Sequence, residues 1–243
     1  VSQKIKNPNE KGSGFIVGII ALIAIVAVVI GVVLYMGRNQ PIEGLPDEDV
    51  SFTVQYDGDV VRLASDDAAD DAVVAEVYED YSCSYCAEMA QGGHDDELQA
   101  LNDGELVVEY RTLNFLDRGN EGHSTRSLAL MQRIAQTGDA RLYWNVHTLL
   151  MSDIQEAASW DDEQLAERLK MMDAPSDLVD DVRNGLDLAD AVKVGDANGK
   201  RLEGIIGSVS SPHVIVDGKD ILENAQAGGL GDWVNLALEA GKA

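Results

Sequence analysis

From Phe15 to Met36 the chain reads FIVGIIALIAIVAVVIGVVLYM, 22 residues without a charge, and nothing else in the sequence restricts the possible folds as much. A helix rises about 1.5 Å per residue, so this run is long enough for a hydrocarbon core of roughly 30 Å. A buried core helix would carry polar residues on one face, and this run has none. A cleaved signal peptide would have a shorter apolar region and a small-x-small cleavage site. Here the run leaves through Leu34-Tyr35-Met36-Gly37-Arg38 without such a site, and no cysteine follows that could carry a lipid. The expectation is an uncleaved signal-anchor helix over residues 15–36, preceded by an N-terminal tail of residues 1–14.

The flanks orient it. Lys4, Lys6 and Lys11 precede the run, against a lone Arg38 before Glu43, Asp47, Glu48 and Asp49. Lysine and arginine are retained on the cytoplasmic side, so the tail is expected in the cytoplasm and everything beyond Met36 outside the cell membrane. Residues 1–40 hold four of the 18 basic and one of the 43 acidic residues, leaving 14 against 42, or −28, for the exported part. A surface this acidic excludes phosphate-tracking nucleic-acid binding and repels anionic headgroups.

Residues 37–50 contain two prolines and four acids and read as a tether. Residues 51–243 read as one domain. Ser51–Tyr56 and Val60–Leu63 around Asp57-Gly58 form a hairpin pattern, and Ala72–Tyr78 is a third strand. A helical stretch follows to about Leu101, interrupted at Gly92-Gly93, and then a strand over Leu106–Leu113. Helical spacing marks Ser124–Gln136 and Ala140–Met151. Ser159 is the expected N-cap of a helix over Trp160–Met172, Pro175 opens another ending near Asn184-Gly185, and Asp187–Glu203 is a further helix or pair. Strands His213–Val216 and Lys219–Leu222 flank Asp217-Gly218, and Gly231–Ala240 closes the chain as a helix. This order predicts an α/β sandwich with an α-helical subdomain inserted at about 120–204.

The chemistry centres on Cys83-Ser84-Tyr85-Cys86, the only cysteines, between a buried strand and a helix. A thiol at a helix N-terminus meets free N–H groups and the positive dipole end, which favour thiolate. Cys83 is the expected exposed nucleophile and Cys86 the inner, resolving thiol, exchanging through a mixed disulfide. A structural disulfide would close only a tiny loop. Half of a zinc site would need two more ligands, and His94, His123, His147 and His213 are scattered, fitting surface or packing roles. Two unrelated buried thiols do not account for the spacing. Redox chemistry is the favoured reading, with no metal and no cofactor beyond the Cys83–Cys86 disulfide itself. Ser211-Pro212 precedes a strand, which is awkward unless the bond is cis or the missing N–H is not needed; alone, it reads as a loop proline.

Taken together these residues resemble the DsbA-like branch of the thioredoxin superfamily, in its membrane-anchored actinobacterial form. Val77–Cys86 (VYEDYSCSYC) is similar to the family's strand and CPxC, Leu142–His147 (LYWNVH) to its aromatic helix in the insertion, and Gly204–Gly218 to its cis-proline block. The resemblance covers about residues 51–241. It implies a thioredoxin-like fold, Cys83 as the attacking or attacked sulfur, a cis Pro212 facing the disulfide, and Ser211 offering backbone hydrogen bonds to substrate. It also implies re-oxidation by a membrane quinone-linked partner. Ser84 replaces the family's proline, and Tyr85 stands where the most oxidising members carry histidine; these two positions tune the redox pair. Many relatives bury an acid six residues before the first cysteine, where this chain has Val77. Glu76 and Glu79 are assigned to the opposite strand face, leaving solvent or Glu79 to take the Cys86 proton.

The resulting reading is a membrane-anchored, extracytoplasmic thiol–disulfide oxidoreductase that forms disulfides in exported proteins. The alternatives are a reductase or isomerase on the same fold, or an anchored binding or chaperone module in which the cysteines are incidental.

Overall fold

Alternation of side chains organises the sheet. In the computed structural model, which describes residues 18–20, 22, 23, 26, 44–223 and 229–242, Val73, Ala75 and Val77 of strand β3 (Val73–Tyr78) are buried on one face, while Val74 is exposed on the other. The chain divides into two units, Val1–Pro41 and Ile42–Ala243. The anchor expected over Phe15–Met36 lies mostly outside the described residues, although residues 18–20, 22, 23 and 26 are helical. Among the described residues no helix is long and apolar enough to cross a membrane.

The second unit is built on a six-stranded sheet in the order β1-β2-β4-β3-β5-β6. Strands β1 (Phe52–Asp57) and β2 (Val60–Ser65) form the expected hairpin, with Gly58 supplying a φ of 68° at the turn. Strand β4 (Leu106–Tyr110) pairs parallel with β3 and antiparallel with β2, and β5 (His213–Val216) pairs antiparallel with β3. Asp217 and Gly218 both take positive φ, 49° and 74°, and link β5 to the short β6 (Lys219–Asp220) by a two-residue type I′ turn.

Helix α1 (Ser84–Asn102) carries the chain from β3 to β4 and runs without a break through Gly92-Gly93. The expected interruption does not occur, because these glycines serve contact rather than conformation. A Cβ on Gly92 would lie 2.7 Å from the Cα of Gly231, and one on Gly93 would strike the Trp233 indole. The segment they admit is a 3₁₀ turn (Leu230–Asp232) leading into the last helix, Trp233–Ala240, whose Trp233, Val234 and Ala237 join the core beside β3 and β5.

The insertion contains α2 (His123–Ala135), α3 (Ala140–Ser152), α4 (Ile154–Ser159), α5 (Asp162–Met171), α6 (Ser176–Arg183) and α7 (Ala189–Ile206); the closing helix Trp233–Ala240 is therefore α8. Ser159 is not an N-cap. It ends α4, and α5 is capped by Asp161, whose carboxylate accepts from Gln164 N–H while the Gln164 side chain accepts from Asp161 N–H. That reciprocal box satisfies two orphan donors at once, which one serine cannot do. Helix α7 is single and covers the second face of the sheet: Leu202 packs with Tyr78, Leu113 and Ile215, and Arg201 grips Glu76 with two bonds of 2.8 Å.

Within the stretch read as a tether, Leu45 and Val50 pack against the core. Glu48 exchanges backbone bonds of 2.8 and 2.9 Å with the Asn145 amide, and its carboxylate accepts from Trp144 Nε1 at 2.8 Å.

Candidate active site

Strand β3 ends at Tyr78, and the next five residues form a loop that delivers Cys83 to the N-cap of α1 in an extended conformation, φ −93° and ψ 118°. The loop is tied inward at Asp80. Its carboxylate accepts from Ser82 N–H at 2.9 Å, Ser124 Oγ at 2.5 Å and Leu116 N–H at 3.2 Å, and its backbone carbonyl accepts from Cys83 N–H at 2.9 Å. The Asp80 N–H points at Cys86 Sγ, 3.4 Å away. One residue thus fixes the loop to the start of the insertion and to the inner sulfur.

The two cysteines are free thiols in unlike surroundings: Cys86 is fully buried, whereas Cys83 keeps 9% of its surface. The Ser211–Pro212 bond is cis, and the Ser211 carbonyl oxygen lies 3.5 Å from Cys83 Sγ. Cys83 is pulled down to about 5. The largest cause is donation by the Cys86 thiol; Ser211 and the N–H groups of Cys86 and Tyr85 add to it, against the opposing effect of burial. The Ser211 hydroxyl is buried without a regular hydrogen bond, which leaves it free to serve the sulfurs. Cys86 is pushed well up, by burial first and then by the proton it shares with the negative Cys83. The pair therefore holds one stabilised thiolate at the surface and one stabilised thiol beneath it.

Cys83, Cys86, Ser211 and Pro212 are brought together as the sequence predicts. Ser84 and Tyr85 point outward, with Tyr85 55% exposed, so of the CxxC only the sulfurs and the backbone face the cis-proline loop. Glu76 stays remote: it forms an ion pair with Arg111, whose Nε lies 2.7 Å away, and accepts from Arg201 on the far face of the sheet. The assignment of Glu79 to that same face is wrong. Glu79 stands two residues beyond Val77 and so returns to Val77's side, where it is fully buried.

Glu79 lies in a polar cluster that sequence reasoning missed. His147 Nε2 sits 3.0 and 3.1 Å from its two carboxylate oxygens, and Tyr110 donates to the buried Glu97 at 2.5 Å. Burial lifts Glu97 to about 7. Burial pushes His147 down, but the Glu79 carboxylate more than offsets this and holds it above its ordinary value. Tyr81, also fully buried, is raised by burial and then by the charge of Glu79, and it feels Cys86 as well. Its hydroxyl is buried without a hydrogen-bond partner, and its ring meets His147 edge-on, centroids 5.9 Å apart. Residues 79 and 147 are far apart in sequence, and no local spacing could have announced the pair; the parity of Val77 and Glu79 was the one available sign.

A family model described as Thioredoxin matches residues 66–235. No curated protein sequence matches the chain. Among solved structures it resembles the MdbA protein, a thiol-disulfide oxidoreductase from Corynebacterium diphtheriae, at 37% identity and a TM-score of 0.73, covering 79% of this chain and 95% of that one. The MdbA protein of Corynebacterium matruchotii matches at 35% identity and a TM-score of 0.71, covering 78% and 92%. BdbD from Bacillus subtilis shares the fold, with 15% identity, a TM-score of 0.54 and coverage of 79% and 100%. With its thiol pair at the head of α1 opposite a cis-proline loop, the chain belongs to the thioredoxin family, as a DsbA-like thiol–disulfide oxidoreductase.

Proposed function

We propose that this oxidoreductase works as a disulfide donor outside the cell membrane, held there by a helix over residues 15–36 with its N-terminus in the cytoplasm. The orientation rests on the three lysines before the apolar run and the acids after it. The direction rests on one observation, the asymmetry of the two sulfurs. In the oxidised enzyme a substrate thiolate attacks Cys83 Sγ, the sulfur that reaches the surface. The Cys83–Cys86 bond breaks, a mixed disulfide forms, and Cys86 leaves as a thiolate that takes a proton, because its buried site favours the thiol. Solvent supplies that proton. A second substrate thiolate then attacks the substrate sulfur of the mixed disulfide and expels Cys83, a good leaving group with a pKa of about 5. Two substrate thiols have lost two electrons, and the enzyme leaves as the dithiol. Ser211 and Pro212 lie along the path of the incoming chain and hold it by its backbone. Ser84 and Tyr85 tune the pair through the N–H groups they flank.

At pH 7 a thiol titrating near 5 is about hundredfold in favour of thiolate. That moves a two-electron couple positive by about 60 mV, an upper limit because Cys83 is partly open to water. Stabilising the reduced form makes the oxidised form the stronger oxidant. Exported protein thiols are the substrates, and a quinone-linked membrane protein restores the disulfide, a partner brought in by the family resemblance alone. The test is oxidative folding of a reduced, unfolded secreted protein by the oxidised full chain in detergent. Native disulfides should form at one per enzyme, and Cys83→Ser should abolish them. A chain that instead only reduces insulin in the presence of dithiol would mark a reductase. Activity that survives Cys83→Ser would mark a binding module.

A further inference from the structure

His213 follows the cis bond directly and has no part in the scheme above. Its Nδ1 lies 2.7 Å from Asp220 Oδ2 and its Nε2 lies 2.7 Å from Ser210 Oγ. The carboxylate accepts from Nδ1–H while Nε2 shares a hydrogen bond with the serine hydroxyl, so one imidazole ties both side chains. The arrangement is built by the fold. The type I′ turn at Asp217-Gly218 brings Asp220 back beside His213, and Asp220 also caps the turn after β6 by accepting from Leu222 N–H at 3.0 Å. His213 pairs in register with Tyr78, the last residue of β3, from which the loop to Cys83 departs.

The imidazole therefore bridges over the Ser211–Pro212 dipeptide, from Ser210 on one side to the first residue of β5 on the other. Val209, Ser210 and Ser211 donate no backbone hydrogen bond to the described residues; Val209 packs on the cluster of Tyr78, Leu113, Leu202 and Ile215, and beyond it the side-chain tie holds the loop opposite Cys83. The histidine and aspartate side chains keep only 19% and 9% of their surface, which shields both bonds from water.

We propose that Ser210, His213 and Asp220 form a positioning triad that holds Ser211, with its buried and otherwise unpartnered hydroxyl, beside Cys83, and so sets both the thiolate, to which that hydroxyl can donate, and the docking edge for substrate. The triad acts through Ser211 and touches neither sulfur. It rests on the reading of Cys83 as the reacting sulfur, and the experiment separates the two. The pH dependence of Cys83 alkylation by iodoacetamide is measured on the reduced full chain in detergent micelles. The original chain, Ser210→Ala, Ser210→Thr and His213→Gln are compared, together with the reduction potential of each. Losing one hydrogen bond to a partly exposed thiolate costs about tenfold in its stability. Ser210→Ala and His213→Gln should therefore raise the Cys83 midpoint by about one unit and lower the potential by about 30 mV. Ser210→Thr, which keeps the hydroxyl, should restore both. Unchanged midpoint and potential in Ser210→Ala and His213→Gln, with the original chain titrating near 5, would overturn the triad alone. A midpoint near 8.5 in the original chain would overturn the reading of Cys83 itself, and the triad with it.

Discussion

Replacing Cys86 with alanine removes the thiol proton that contributes most to the low pKa of Cys83. A hydrogen bond to a charged group is worth about 1.5–3 kcal/mol, and a pKa unit corresponds to 1.36 kcal/mol, so full loss would raise the thiol by about 1–2 units. Cys83 lies at the edge of solvent, where water replaces part of the lost donor, and the lower end applies. The variant should titrate near 6 rather than near 5, still below an ordinary thiol, because Ser211 and the N–H groups of Tyr85 and residue 86 remain. The assay is the rate of iodoacetamide alkylation against pH. It reads Cys83 alone in the variant, and almost alone in the original chain, where Cys86 is fully buried. A variant midpoint at or below 5 would show that the thiol–thiolate bond is not the source of the shift and that the helix terminus carries it. A midpoint near 8.5 would mean that the remaining donors contribute nothing, which the cap geometry contradicts.

Two further outcomes concern stability. Gly92→Ala forces a methyl group against the Gly231 backbone at 2.7 Å and should cost about 1–3 kcal/mol in chemical unfolding, whereas a neutral result would mean that α1 and the Leu230–Asp232 turn are not packed as described. Glu97, lifted by burial to about 7 from 4.5, lets the folded state hold a proton that the unfolded chain gives up first. Its contribution is whole below about pH 4.5 and is lost as pH rises through about 7. Glu97→Gln should accordingly leave stability unchanged at pH 4.5 and add about 1–3 kcal/mol at pH 8 in urea unfolding; an equal effect at both would refute the buried neutral acid.

What the sequence disclosed was chemistry carried by short spacings. Cys83 and Cys86 lie within one helical turn and could be read locally, whereas Ser211-Pro212 reads as a loop proline until it is set beside the cysteine pair. The strand and helix order of the sheet and the insertion was legible for the same reason: periods of two and of about 3.6 belong to contiguous residues. The failures arose where meaning depended on a distant partner. Gly92-Gly93 looks like a break until Gly231 and Trp233 arrive against it. Ser159 looks like a cap until Asp161 and Gln164 cap each other. Glu79, assigned to the far strand face, shares the parity of Val77, but its partner His147 comes only with α3. Ser210 and Asp220 acquire a role only when the β5–β6 hairpin folds Asp220 onto His213.

The central claim is that these sulfurs favour the reduced state strongly enough for the protein to give disulfides away. The direct measurement is the reduction potential of the Cys83–Cys86 couple at pH 7, equilibrated against glutathione buffers. The account predicts a value positive of the thioredoxin figure by up to about 60 mV, toward about −210 mV and on the side of the strong oxidant DsbA. A value near the thioredoxin figure of about −270 mV would contradict it, because a thiolate held near pKa 5 beside a buried thiol would then not be driving disulfide transfer outward.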